Sequence, residues 1–520
     1  MNAKKYLPEY VKICLEVTFL LGVLAHGMAL VNKFCIADEA VYLFSVGSTT
    51  VSGRWFLGAI GAFVRWFFGS PNFSLPLTGG LLTILFTGLC SCVFVAWMGL
   101  KKKISWIITS GLMVTFPIMP CLFFYHFTAP YYMAGLFLIF WGGAVLCKNR
   151  SAWAFAGGVV LVCLGLSIYQ AFISLFLSLL LISFFREVTE QECWTVSKLV
   201  RETLWFCGAC LAVAMTYLLS VKISNCLNHT ELLDYKGISS MGSASISDYI
   251  GRIKLALYLY LFPNKGDRYA FLFPYRLNDC YFLVVVCGAL LAVWQALRLR
   301  KTPLKTVTIL LILAFFPLAS NFIYVTCDAS HIYTLMLFGQ LAPFLFLVCL
   351  TDWLIPCVSC STGWKKTVKM FPVLLLSVFC LFCLRMDNAV YTELQFAQTR
   401  SQAYFNGIVT QIKSTPGYTA NSHVAFVGSP ISATNPTFQR IDGFAEIPMS
   451  PLTYSGNPFC VAYYSWQEYI SLWCGFSPVY EDGAEYAQLR EVRAMPNYPD
   501  SGSIKMVRDV VVVKLGDDME

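Results

Sequence analysis

Long apolar runs alternate with short polar breaks along most of the chain. Eleven such runs stand out, at roughly 11–31, 77–99, 104–124, 130–147, 151–168, 170–185, 203–223, 279–297, 304–326, 332–354 and 370–384. A helix that crosses a bilayer needs about 20 mostly apolar residues. The pattern therefore predicts an α-helical polytopic membrane protein of about eleven spans over residues 1–384. The run from Val11 to Val31 exceeds a signal-peptide core, and Ala25-His26-Gly27 is a poor cleavage site, so it reads as the first span. Little but Tyr169 separates 151–168 from 170–185, which requires a tight hairpin there.

The polar breaks carry an orientation signal. Lys4, Lys5 and Lys12 precede the first run, and Lys101-Lys102-Lys103 follow the second. Lys148 and Arg150 follow the fourth, Arg186, Lys198 and Arg201 the sixth, Arg298, Arg300, Lys301 and Lys305 the eighth, and Lys365, Lys366 and Lys369 the tenth. With alternating spans, all six groups fall on one side, the cytoplasmic one by the positive-inside bias. Eleven spans then put the C-terminal tail outside. Three segments then fall on that face: 32–76, 224–278 and the tail, 385–520. In the first of them, Ser52-Gly53-Arg54-Trp55 leads into Phe56-Leu57-Gly58-Ala59-Ile60 and then Phe63-Val64-Arg65-Trp66-Phe67-Phe68, apolar residues interleaved with Arg and Trp as in interfacial helices. In the tail, 387–413 and 484–495 read as helices. Val424-Ala425-Phe426-Val427-Gly428 and Val510-Val511-Val512-Val513 read as strands, so residues 385–520 are expected to form a small extracytoplasmic α/β domain.

Composition excludes other classes. The 520 residues are 57% hydrophobic and only 13% charged, with a mean hydropathy of +0.64. A soluble chain carries about 25% charged residues, and 16% aromatic residues rule out a disordered one. The net charge of +8 is split: 385–520 hold 9 basic and 14 acidic groups, the remainder 28 and 15. That division suggests two compartments and no nucleic-acid partner. The 21 cysteines lie mostly in apolar runs. The CxxC pairs Cys207/Cys210, Cys357/Cys360 and Cys380/Cys383 lack the second pair or histidines of a zinc site. Cys460 and Cys474 share the tail, where a disulfide is possible.

Nucleotide-binding, zinc-protease and serine-hydrolase motifs are missing, and no inner loop is long enough for a nucleotide-sugar domain. Chemistry is therefore expected on the outer face. Asp38-Glu39 follow the first span directly, among apolar neighbours. Either carboxylate can serve as a general base, or Asp38 can cap a helix over 40–46. Six cations fall in one outer segment: Lys236, Arg252, Lys254, Lys265, Arg268 and Arg276. They can bind a phosphate or anionic lipid headgroups. Tyr125-His126 and His331 stand at outer span ends, as sugar or phosphate contacts or as interfacial residues. Tyr169-Gln170 can be a turn or a sugar contact, and Trp55 can stack on sugar or join an aromatic belt.

An acidic pair after the first span, then Gly53-Arg54-Trp55, Phe127-Thr128-Ala129-Pro130-Tyr131-Tyr132, Tyr169-Gln170 and an outside tail form a pattern. It resembles the bacterial type II O-antigen glucosyltransferases, the serotype-converting family with the GT-C fold. The resemblance implies transfer of a sugar from a polyprenyl-phosphate donor to a surface polysaccharide, within a membrane and with inversion. Asp38 or Glu39 would be the base. Arg54, Arg252, Lys265, Arg268, Arg276 and His331 would contact donor phosphate. Trp55, Tyr125, His126, Tyr169 and Gln170 would contact sugar or acceptor. No cofactor is required, since the phosphate departs without a proton; a divalent metal can share its charge, but no ligand cluster calls for one. Two rival readings are a lipid-linked-sugar flippase and an O-antigen polymerase or ligase.

Overall fold

The computed structural model describes residues 7–36, 38–231, 245–266, 270, 272–354, 362–430, 442–444 and 465–516. These residues separate into two compact units. One takes the described residues of Met1–Asn32 and Phe44–Ala389, the other those of Lys33–Leu43, Val390–Ala445 and Pro451–Glu520.

The first unit is helical. In chain order its helices are α1 (Glu9–Val31), then α3 (Trp55–Phe68) to α15 (Ala342–Trp353); α2 (Asp38–Val41) belongs to the second unit. Between α3 and α15 come α4 (Pro76–Met98), α5 (Lys103–Thr115), α6 (Ile118–Phe123), α7 (Ala129–Lys148), α8 (Ala152–Leu166), α9 (Ile173–Glu190) and α10 (Val196–Asn228). They are followed by α11 (Ile246–Leu261), α12 (Arg276–Arg298), α13 (Pro303–Ser320) and α14 (Ile323–Thr326). The last helix, α16 (Thr362–Ser414), passes from one unit into the other at Ala389.

Among the described residues, eight helices are long and apolar enough to cross a membrane, and Trp55–Phe68, Ala152–Leu166 and Phe338–Trp353 are shorter apolar ones. Prolines account for the main departures from the expected runs. The run at 104–124 is broken between Thr115 and Ile118, because Pro117 lacks an N–H and holds Phe116 extended. The run at 304–326 stops at Ser320, one turn after the internal Pro317. The run at 370–384 is part of the 53-residue α16, which also absorbs the helix expected at 387–413.

Small residues let helices close up where no water drives them together. A Cβ on Gly165 of α8 would stand 2.6 Å from the Gly135 carbonyl of α7, and one on Gly142 would stand 2.9 Å from the Gly158 carbonyl. Ser167, Ile168 and Tyr169 form the short link from α8 to Gln170, and α8 packs on α7 and α10. Gly165→Ala is accordingly expected to force the pair apart and cost about 1–3 kcal/mol. Thermal unfolding in detergent should fall, while Gly157→Ala, with nothing within 4 Å of its Cβ, should leave it unchanged.

Polar ties mark the two ends of this unit. At one end Asp352 accepts from the backbone N–H groups of Lys101 and Lys102 at 3.1 and 3.0 Å. Arg186 Nη1 donates to the Trp97 carbonyl at 3.0 Å, Lys148 Nζ to Ala96 at 2.5 Å, and Lys305 Nζ to Gln191. Lys103 pairs with Glu9 at the start of α1. Basic residues from four separate breaks thus gather at one end.

The second unit holds a four-stranded sheet: β1 (His423–Val427), β2 (Tyr480–Glu481), β3 (Ile504–Val507) and β4 (Val510–Lys514), in the order β2-β1-β4-β3. β1 is parallel to β2 and β4, and β3 and β4 form an antiparallel hairpin. Arg508 and Asp509 turn that hairpin with φ of 50° and 64°, as a two-residue turn between twisted strands requires. β4 is buried along its whole length, and Lys514 survives there because its Nζ donates to the Arg493 and Met495 carbonyls. On one face Phe405 of α16 and Phe426 pack on Trp466 of α17 (Trp466–Cys474). The other face packs on Val492 and Met495, and the helix expected at 484–495 is two short turns, Gly483–Ala487 and Arg490–Arg493. Cys474 carries a free thiol; Cys460 lies outside the described residues.

Candidate active site

In the first unit the Gly53-Arg54-Trp55 turn is tied from several helices. Gly53 has φ +71°, and a Cβ there would lie 2.9 Å from Tyr217 Oη and 3.0 Å from Gln170 Nε2, so only glycine fits. Gln170 Nε2 donates to the Ser52 carbonyl at 2.7 Å, and Tyr217 Oη to the Gly53 carbonyl at 3.3 Å. Trp55 Nε1 donates to Ser220 Oγ at 3.0 Å, and Ser220 donates in turn to the Tyr217 carbonyl at 2.7 Å. The turn therefore cannot move without the segment that leads into α9 and the C-terminal half of α10.

This scaffold fixes one guanidinium. Arg54 Nη1 donates to Tyr132 Oη at 2.9 Å, and its Cζ lies 5.2 Å from the Tyr169 ring centre and 5.9 Å from that of Tyr132. The two rings stack on each other at 4.4 Å and 17°. Pro130 in the first turn of α7 starts the helix that presents Tyr132. Burial keeps the Tyr169 phenol well above its ordinary pKa, so it stays neutral beside the cation. The cluster lies at the start of α7 and α9 and the end of α8, the helix ends opposite those that carry Lys148 and Arg186. A guanidinium held this way stays charged and can meet phosphate oxygens in a fixed direction.

In the second unit Asp38 and Glu39 open the short helix α2, which ends at Val41. The capped helix expected at 40–46 is thus shorter and starts at Asp38 itself. The two carboxylates differ. Glu39 is fully buried and pairs with Lys33, whereas Asp38 is half-buried. Gln398 of α16 holds the segment before them, accepting from Cys35 N at 2.9 Å and donating to the Lys33 carbonyl at 3.1 Å. Phe34 stacks on Tyr391 at 6.3 Å.

The other expected residues fall in varied places. Arg252 on α11 faces Asp328, Nη2 to Oδ2 at 4.0 Å, and the Tyr249 ring at 5.8 Å. Hydrogen bonds from Ser330 hold the Asp328 carboxyl below its usual range, with smaller contributions from Arg252 and His331, so these last two share one locality. Arg276 is paired with Asp279 of its own helix at 2.8 Å and is 83% exposed, and Lys265 is exposed. Arg268 lies outside the described residues. The buried His126 ring meets the Ala29 carbonyl at 3.0 Å, bracing α1, and Tyr125 packs edge-on against Phe127.

Sequence reading passed over Tyr217, Ser220, Lys33 and Asp387. The first two look like ordinary positions of an apolar span. Asp387 is fully buried on α16, with no hydrogen bond to either carboxylate oxygen among the described residues. It follows the last apolar run closely enough to read as the start of the polar tail.

Apolar helices of spanning length, joined to the family match that follows, define a membrane glycosyltransferase. The family described as glucosyl transferase GtrII matches residues 27–344, a stretch that includes both the carboxylate pair and the Arg54 cluster. The chain belongs to this family, the one that its acidic pair and Gly-Arg-Trp motif resemble. No curated protein and no solved structure matches the chain.

Proposed function

We propose that the protein transfers a hexose, glucose by its family, from a polyprenyl-phosphate donor to a surface polysaccharide on the extracytoplasmic side. The observation that carries this reading is the tied Arg54 guanidinium, with tyrosines beside it, at the helix ends opposite the lysine-rich ones. A donor whose isoprenoid lies in the membrane brings its phosphate to a helix end, where such a cation meets it. Asp38 removes the acceptor hydroxyl proton as the oxygen attacks the anomeric carbon. The anomeric bond to phosphate breaks, and polyprenyl phosphate leaves as an anion that needs no acid. A single displacement inverts the anomeric centre. This differs from glycoside hydrolysis, where a second carboxyl must protonate the leaving oxygen. Arg252 and His331 are the next phosphate contacts in this reading, with Lys265, Arg268 and Arg276 behind them. The chemistry requires no cofactor.

The test is reconstitution of the purified chain with labelled polyprenyl-phosphate glucose and acceptor glycan. Transfer with inverted anomeric configuration supports the reading; movement of donor across the bilayer without transfer overturns it in favour of a flippase.

The same reading places the N-terminus in the cytoplasm and, with eleven spans, the tail outside: the eight long helices, the shorter Ala152–Leu166 and Phe338–Trp353 and the broken run at 104–124 make the eleven, and Trp55–Phe68 lies in the interface. Cysteine labelling at Lys102 and Ser501 is expected to report opposite sides, and labelling of both from one side would sink this topology.

A further inference from the structure

A second cleft of the first unit lies at the lysine-rich end. It is an open groove of about 600 Å3 between α8 and α10, with Arg150 and Arg201 at its mouth. Phe155, Leu204, Trp205 and Gly208 line the rest. Arg150 Nη2 is held by Glu202 at 2.5 Å and Glu187 at 3.1 Å, and its guanidinium lies 5.0 Å from the Trp205 ring centre. Arg201 reaches Glu202 at 3.2 Å but remains 72% exposed. With Lys198, which shares this locality, three cations face two carboxylates. Trp205 Nε1 donates to the Leu146 carbonyl at 3.1 Å, which pins the indole as a wall. The floor is open at Gly208, where nothing lies within 4 Å of a Cβ.

A cationic mouth and an apolar floor in one groove fit an amphiphile. A free phosphate gains nothing from an indole wall, and an uncharged lipid gains nothing from the exposed guanidinium. From Arg201 to Gly208 a helix rises about 10 Å, enough to carry contact from a phosphate to the upper part of an acyl chain. Only 17% of the apolar window of α10 is buried against the described residues, which leaves most of its apolar surface open to lipid. We propose that the groove binds one anionic glycerophospholipid, its phosphate on Arg201 and Arg150 and an acyl chain along Leu204 to Gly208. The site stands at the far end of α8 from Arg54 and does not depend on the transfer chemistry.

Native mass spectrometry of the full chain in mild detergent, with added phosphatidylglycerol or phosphatidylcholine of matched chains, tests this. The wild type is expected to retain one phosphatidylglycerol in preference. Arg201→Gln removes the exposed cation, and Gly208→Leu places a side chain in the groove from a Cβ position with nothing within 4 Å. Each is expected to lower that retention about tenfold, as loss of one charge-assisted contact or of the groove itself would. Unchanged melting of both variants without added lipid would confirm that the fold is intact. Equal retention of the two lipids overturns the proposal, as does undiminished phosphatidylglycerol binding in both variants. A dimer mass that Gly208→Leu abolishes would also overturn it and mark the surface as a chain–chain contact, and preferential retention of polyprenyl phosphate would overturn it in favour of the donor.

Discussion

Asp38→Asn is expected to lower glycosyl transfer by about 10²–10⁴-fold, the usual contribution of a positioned general base, or roughly 3–5 kcal/mol of barrier. The acceptor hydroxyl is a poor nucleophile near neutral pH, so removing the proton acceptor removes most of the driving force. Asparagine keeps the shape, so donor binding should change little. Glu39→Gln separates the two carboxylates. Glu39 is fully buried and ion-paired with Lys33, so its neutralisation removes a buried charge–charge contact and should lower thermal stability. Asp38→Asn should leave melting nearly unchanged. Initial rates with purified protein and labelled donor, read beside melting curves, give both results. Near-wild-type transfer by Asp38→Asn would place the base elsewhere.

Much of the fold was legible because a bilayer leaves a chain few choices. Runs of apolar residues must become helices that satisfy their own backbone groups, and the lysine-rich breaks do collect at one end of the first unit. What the pattern missed was local. Pro117 sits inside a run whose mean hydropathy is uninterrupted, and only its missing N–H divides α5 from α6. The merging of 370–384 with 387–413 was hidden because Arg385, Asp387 and Asn388 look like a span boundary, while α16 buries Asp387 and continues.

The grouping of Arg54 with Tyr169 and Gln170 in the candidate site was legible in part for a related reason. The pairs Arg54-Trp55 and Tyr169-Gln170 are separated by more than a hundred residues, yet each stands at a polar break next to a span end. Span ends on the same face are the positions that a bundle brings together. Tyr217 and Ser220 stand within α10, where a hydroxyl can equally face lipid or a neighbour, and only tertiary contacts reveal which. The difference between Asp38 and Glu39 was likewise hidden, since it rests on Lys33 and on a glutamine more than three hundred residues away.

Arg54→Gln is expected to reduce kcat/KM for the polyprenyl-phosphate donor by roughly ten- to a hundredfold, the loss of a charge-assisted contact worth about 1.5–3 kcal/mol. Two further variants test the geometry. Arg54→Lys keeps the charge but loses the planar fork that reaches Tyr132 Oη and lies against the Tyr169 ring, so it should recover only part of the loss. Tyr132→Phe keeps the ring stack on Tyr169 and removes only the hydroxyl that holds Nη1. The guanidinium then remains but is less well directed, and a smaller loss of about threefold to tenfold is expected, matching a neutral hydrogen bond of about 0.5–1.5 kcal/mol. The order to be found is wild type, Tyr132→Phe, Arg54→Lys, Arg54→Gln. If Arg54 meets phosphate that bears more charge as the sugar bond breaks, the deficit falls mainly on kcat. A deficit confined to KM would mean that the cation only anchors the donor. Equal activity of Arg54→Gln and the wild type would mean that the cluster braces the helix ends and that the phosphate is bound by other residues.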